Sequence, residues 1–105
     1  MKWTVETLNP TVDAELDQLP PDMRARFIHV SRLIEEFSLE RVREPHVKHL
    51  QGPLWEMRRD GISRALYVTA TGRRVIVVRV FIKKTQKTPV AEIELALRRA
   101  KEVQK

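Results

Sequence analysis

A chain of 105 residues and 12.3 kDa holds a single domain spanning 1–105, since domains usually need about 100–150 residues, and it excludes a two-domain machine. Its 42% hydrophobic residues can form a core, while the absence of cysteine excludes a disulfide framework, a thiolate zinc site and a cysteine nucleophile. A formal charge of +6 and a pI near 10.2 favour a polyanionic partner, with nucleic acid as the first candidate.

The first twenty residues lack the unbroken apolar stretch of a signal peptide, and no run approaches the roughly eighteen apolar residues of a membrane span. A cytoplasmic protein without membrane contacts is predicted. Residues 2–8 alternate polar and apolar and read as a strand. Asn9-Pro10 then suits an N-cap followed by proline in the first helical turn, opening a short helix with Val12, Leu16 and Leu19 on one face. Pro20-Pro21 stops it. A second helix starts at Pro21-Asp22 and carries Met23, Phe27, Val30, Ile34 and Phe37 at helical spacing, so the two helices form a hairpin that serves packing. Residues 38–53 lose the pattern and read as a connection punctuated by Pro45, Gly52 and Pro53.

Beyond it the period becomes two. Residues 54–59, 62–70 and 73–83 read as strands joined by turns at Asp60-Gly61 and Thr71-Gly72, and the last has a β-branched run expected of a central strand. A final helix is predicted from Thr88 as N-cap and Pro89 as first residue, with Val90, Ile93, Leu97 and Ala100 on one stripe. The predicted order β-α-α-β-β-β-α gives an α+β fold, an antiparallel-rich sheet packed against a helical hairpin with a C-terminal helix.

Strict alternation assigns Ile76, Val78, Val80 and Ile82 to the helix-covered side and Arg79, Phe81 and Lys83 to an open one. Two hairpin registers compete before it. A three-residue Arg59-Asp60-Gly61 loop sets Glu56 opposite Arg64 and projects Glu56, Arg58 and Arg64 together; a two-residue Asp60-Gly61 turn separates Arg58 from Arg64. The first is favoured because it permits a Glu56–Arg64 ion pair.

The charge is unevenly distributed. Residues 1–45 carry six basic and nine acidic side chains, a balance of −3, whereas residues 46–88 carry ten basic side chains against Glu56 and Asp60, a balance of +8. Lys83, Lys84 and Lys87 precede the last helix, whose N-terminal dipole favours an anion. With Arg58, Arg59, Arg64 and Arg79 they supply donors for a phosphodiester, while Phe81 and Tyr67 offer rings on which an unstacked base could lie. Basic charge interleaved with aromatics points to RNA without implying its cleavage. The same surface suits a non-catalytic RNA-binding module or a docking site for an acidic protein. No helix has the clustered basic face of a duplex reader.

The segments 50–58, 63–67 and 81–89, above all Leu54-Trp55-Glu56-Met57-Arg58 and Phe81-Ile82-Lys83-Lys84-Thr85-Gln86-Lys87-Thr88-Pro89, resemble the phage-derived branch of the RelE/HigB toxins over roughly residues 2–103. The resemblance implies a small RelE-like fold and the role of toxin in a type II toxin–antitoxin pair, an endoribonuclease that cuts mRNA in the ribosomal A site. Partners would be mRNA, the ribosome with its rRNA, and a cognate antitoxin, a small helix-turn-helix protein encoded nearby through which DNA is reached indirectly. The catalytic positions it transfers are Arg58, Arg64, Lys83 and Lys84, with Lys87 on the RNA. Many relatives carry His-Gly-Phe before the two lysines, where this chain has Arg79-Val80-Phe81, so a histidine able to exchange protons is replaced by an arginine.

The implied chemistry needs no cofactor: a 2′-hydroxyl attacks the adjacent phosphate and leaves a cyclic phosphate and a 5′-hydroxyl. Arg58 and Arg64 would hold the non-bridging oxygens, and Lys83 or Lys84, with neighbouring cations favouring its neutral form, would take the hydroxyl proton. Arg79 or a lysine would assist the leaving oxygen, although arginine donates protons poorly. A toxin that keeps antitoxin binding but has lost activity through Arg79 is the other outcome of that change. His46 and His49 lack third and fourth ligands, so no metal is expected. His29 reads as a boundary residue, and Trp3 and Trp55 as core anchors.

Overall fold

A computed structural model describes residues 2–39, 47–57, 63–83 and 87–103. Strand β1 (Thr4–Thr7) leads through Asn9, whose side chain accepts from the Val12 amide at 3.1 Å, into α1 (Pro10–Asp17). This is the predicted proline-led cap. Helix α2 (Pro21–Phe37) follows at once and buries Val30 and Ile34, with Met23 and Phe27 packed beside them. Phe37 departs from the predicted stripe and is 52% exposed, because α2 ends there and Ser38 turns away at a φ of 77°.

The remaining elements are β2 (Val47–Gln51), β3 (Leu54–Met57), β4 (Ser63–Ala70), β5 (Arg74–Ile82) and α3 (Val90–Ala100). They make one five-stranded sheet ordered β1-β5-β4-β3-β2, with β1 parallel to β5 and the other pairs antiparallel. Strand β2 corrects the reading of residues 38–53 as a connection. It is an edge strand with exposed Lys48, His49 and Gln51, so no apolar alternation announces it. Its turn into β3 uses Gly52 at a φ of 55°, and a ring nitrogen of His49 meets the Gly52 carbonyl at 2.8 Å while the ring leans on Trp55 at 5.0 Å. Trp55 therefore braces this hairpin from an exposed position and is no core anchor, whereas Trp3 does pack against the core.

Both faces of the sheet are covered. On one side α1 and α2 meet Val47, Met57, Ala65, Tyr67, Val75, Val77 and Val80; on the other, Ala96 and Ala100 of α3 meet Leu54, Leu66, Val68, Ile76, Val78 and Phe81. The expected open face is thus the seat of α3. Strict alternation along β5 also fails, because Leu66 pairs with Arg79 and Tyr67 with Val77, which leaves Val78 as an extra residue. This bulge shifts the pleat by one position. Ile76 and Val78 consequently lie under α3, while Val80 joins the α1–α2 side and Phe81 the α3 side.

On the β1–β5 side of the sheet, open backbone groups are met by side chains of the helices. Strand β1 covers β5 only from Arg74 to Val77. Beyond it, the Val80 amide donates to Glu15 of α1 at 3.1 Å and the Val78 carbonyl accepts from Arg99 of α3 at 2.8 Å. On the outer side of β1, the Val5 amide donates to Glu35 of α2 at 3.0 Å. Backbone groups that would otherwise be open to another strand are thus occupied.

Candidate functional site

Strands β3 and β4 pair Trp55 with Tyr67, Glu56 with Leu66 and Met57 with Ala65. Glu56 and Arg64 share a face as predicted, but they are diagonal and not directly opposed. Their ion pair forms all the same, Arg64 Nε lying 3.4 Å from Glu56 Oε1, and an Arg64 terminal nitrogen donates to the Ser63 carbonyl at 2.8 Å. Glu56 is 1% exposed and Arg64 6%. A carboxylate removed from water so completely needs partners, and Glu56 has a second one: the Thr88 hydroxyl donates to Oε1 at 2.5 Å.

Thr88 is therefore not the predicted N-cap. Pro89 occupies that position, its carbonyl accepting from the Glu92 and Ile93 amides, because the Thr88 hydroxyl is spent on Glu56. The anion beside the start of α3 is thus the chain's own carboxylate. Lys83 follows the end of β5, two residues beyond Phe81, the register partner of Arg64. It is buried, and Lys87 is exposed. Glu56, Arg64 and Thr88 make a polar cluster that joins β3, β4 and the entry to α3, and Lys83 lies at the exit of β5.

Other candidates lie elsewhere. Tyr67 is 1% exposed in the core beneath α1 and α2; burial pushes its phenol well above the ordinary range, and its ring offers no face to a base. Phe81 is buried under α3 with the Arg79 guanidinium 5.7 Å from its ring centre, so it too is closed to stacking. Arg79 bonds Glu92 through Nε at 2.6 Å and Nη2 at 3.1 Å, and meets Glu15 through Nη1 at 2.8 Å. The Glu92 hydrogen bonds foremost hold its guanidinium more firmly charged than usual, which removes it from proton transfer. Nothing in the sequence announces this clamp, because Glu15 lies far from Glu92 and Arg99 along the chain and their helical positions alone carry no sign of a meeting at β5. Arg58, Arg59, Lys84 and His46 lie outside the described residues.

A sequence profile of the family described as phage derived protein Gp49-like, a RelE-like toxin family, matches residues 14–101. The chain belongs to the Gp49-like family. That membership places it in the RelE/HigB toxin superfamily. No curated protein matches the chain. Among solved structures, this Gp49-like chain is similar to one from the toxin–antitoxin complex RelBE2 of Mycobacterium tuberculosis, with a TM-score of 0.60 and 23% identity over 79% of this chain and 100% of that one. It is also similar to a chain of the archaeal RelE–RelB complex of Pyrococcus horikoshii, with a TM-score of 0.64 and 20% identity over 80% and 98% of the two chains. The Gp49-like chain therefore has the RelE-like fold.

Proposed function

We propose that this chain is the toxin of a toxin–antitoxin pair and a ribosome-dependent mRNA endoribonuclease. The observation that carries the reading is Arg64 paired with Glu56 beside the entry to α3, in the segment with a balance of +8 that also holds Lys83 at the exit of β5, within a chain of a toxin family. Lys87, exposed at the same end, attracts the RNA backbone. Arg64 donates to the non-bridging oxygens, with Arg58 proposed from sequence for the same task. Lys83 or Lys84 takes the 2′-hydroxyl proton; the 2′ oxygen bonds to phosphorus, the bond to the 5′ oxygen breaks, and a lysine ammonium returns a proton to that oxygen. A cyclic phosphate and a 5′-hydroxyl result. Complexes with an antitoxin among the fold relatives support an antitoxin as partner.

One observation favours a second reading, a toxin fold that binds its antitoxin without cutting RNA: Arg64 and Lys83 are buried and Arg79 is engaged by two carboxylates. Induced expression separates the two. Growth arrest with new 5′ ends inside translated codons, abolished in the Arg64→Ala, Lys83→Ala pair, supports the nuclease; an unchanged transcriptome with retained antitoxin binding supports the second.

A further inference from the structure

Along one row of the sheet, His49 of β2 pairs with Trp55 of β3, Trp55 with Tyr67 of β4 and Tyr67 with Val77 of β5, so the four side chains share the face that carries α1 and α2. The helices cover only part of that row. Tyr67 is 1% exposed and Val77 fully buried, whereas Trp55 keeps 38% of its surface in water with His49 exposed beside it. The imidazole is held in place. The Gly52 carbonyl can only accept, so the ring nitrogen 2.8 Å away donates, and the ring stands 5.0 Å from the indole at 59°. His49 thus walls one side of a large flat ring carried on a hairpin. Among the described residues, one other aromatic ring is as exposed, Phe37, and it follows Glu35-Glu36 in the acidic part of the chain. Trp55 has the opposite surroundings: in the hairpin 47–57, Lys48 and His49 are exposed while the one acid, Glu56, is buried, so no carboxylate of the hairpin reaches the surface beside the indole.

We propose that Trp55, walled by His49, is a stacking platform for an unpaired nucleobase of single-stranded RNA. The inference deepens the reading given above and rests on its claim that the chain meets RNA, independently of which groups move protons. Every base has an apolar π-face, and stacking on an aromatic side chain beside basic charge holds single strands without readout of their sequence. Tyr67 and Phe81 are buried, so Trp55 is the ring of the +8 segment left in contact with water. Trp55 and Glu56 are consecutive in β3, which sets the platform and the Glu56–Arg64 pair on opposite faces of the sheet. Strand β3 lies one strand, about 4.8 Å, from the sheet edge at β2, so a flexible single strand passing round that edge reaches both faces.

The test titrates the full chain with 2′-O-methyl oligoribonucleotides, which cannot be cut through a 2′ oxygen, and follows the Trp55 indole N–H resonance. An abasic strand of the same length supplies the phosphates without the bases. Base-bearing RNA is expected to move the Trp55 resonance and to bind about tenfold more tightly than the abasic strand, the size of one stacked base. Trp55→Leu removes that preference but keeps the slope of log affinity against log salt, because no phosphate contact is lost. Trp55→Phe, which keeps a ring, retains most of the preference. Should the leucine variant not fold, the wild-type resonance and the phenylalanine variant carry the test. On ribosomes, weaker binding of Trp55→Leu only when mRNA fills the A site assigns the base to mRNA, and weaker binding with or without it assigns the base to ribosomal RNA. An unmoved Trp55 resonance in RNA-bound wild type, or an equal loss of affinity for both strands in Trp55→Leu, overturns the platform and leaves the nuclease standing. Loss of antitoxin binding in Trp55→Leu at unchanged RNA affinity gives the ring to a protein partner and overturns the platform as well. No binding of RNA by wild type at low salt also overturns it, while cleavage on ribosomes, assayed separately, decides the nuclease reading.

Discussion

Two arginines on neighbouring strands meet carboxylates in this molecule, and the difference between them separates architecture from site. Arg79, on β5, lies between Glu15 of α1 and Glu92 of α3, and Arg99 joins the same Glu15 at 2.9 Å. Two arginines balance two glutamates. The group also closes the backbone at Val78 and Val80, so its charges are consumed in fastening two helices across a sheet edge. Arg64, on β4, shares Glu56 with a hydroxyl, and Lys83 lies on the same side of the sheet. This second group pairs one guanidinium with one carboxylate and adds a hydroxyl on the same carboxylate oxygen. The clamp is spent on fastening helices, whereas the Arg64 pair lies at the lysine-rich end of the sheet, and on the proposed nuclease reading only the second would meet a phosphate.

The largest effect is expected at the cluster. Arg64→Ala leaves Glu56 charged and buried without its counter-ion, which costs about 3–5 kcal/mol in urea unfolding. Arg64→Lys avoids that cost but lacks the planar fork, so its cleavage rate falls about a hundredfold while the fold survives. Single-turnover cleavage on ribosomes measures this. An Arg64→Lys variant that cuts at the wild-type rate would remove the distinction between the two arginines.

At the clamp the expectation is reversed. Glu15→Ala deprives Arg79, Arg99 and the Val80 amide of a shared acceptor and costs about 2–4 kcal/mol, since charged hydrogen bonds are worth about 1.5–3 kcal/mol each and are not additive. Cleavage per folded molecule stays within about twofold. A larger fall in activity at unchanged stability would make the clamp part of the site.

These two clusters are unequally legible in the sequence. Glu56 and Arg64 lie on adjacent strands, and side-chain alternation alone brings them to one face in either of two registers differing by a two-residue step. The ion pair survives an error in register for that reason. The clamp needs three things that alternation does not contain: the extra residue at Val78, the seat of α3 on the second face, and the arrival of α1 at the edge left by the short β1. The proline-led start of α1 is readable because its cap is local, whereas Thr88 passes for a cap because its true partner is 32 positions away. Placing Tyr67 at a base-binding rim assumes a sheet with an open face. The composition of β4, SRALYVTA, cannot say that two helical layers close over it.

Salt dependence gives a smaller effect with the same logic. Lys83→Ala is expected to reduce the slope of log affinity against log salt by about 0.7 for a single-stranded oligoribonucleotide, the share of a single neutralised phosphate, whereas Arg99→Ala leaves the slope unchanged. Binding titrations over a series of salt concentrations measure both. Equal slopes in the two variants would show that position, and not local excess charge, governs RNA affinity.

The smallest effect belongs to a further arginine, one outside both clusters. Arg74, at the start of β5, makes a two-pronged contact with Glu6 of β1, its Nε and Nη2 each 3.0 Å from a carboxylate oxygen. The Arg74 hydrogen bond foremost holds the Glu6 carboxyl below the usual carboxylate range. A group with a depressed folded-state pKa stabilises the fold above its unfolded value, about 4.3, and that contribution disappears as the pH falls through the depressed one. The unfolding midpoint of wild type is therefore expected to drop more steeply below pH 5 than that of Glu6→Gln, and the two curves converge at the acid end. Both side chains are about two-fifths exposed, so the difference shrinks as salt is raised. A gap between the curves that resists high salt would instead mean that the parallel β1–β5 pairing itself depends on this contact, and β1 would then join the clamp as a fastening of the β5 edge.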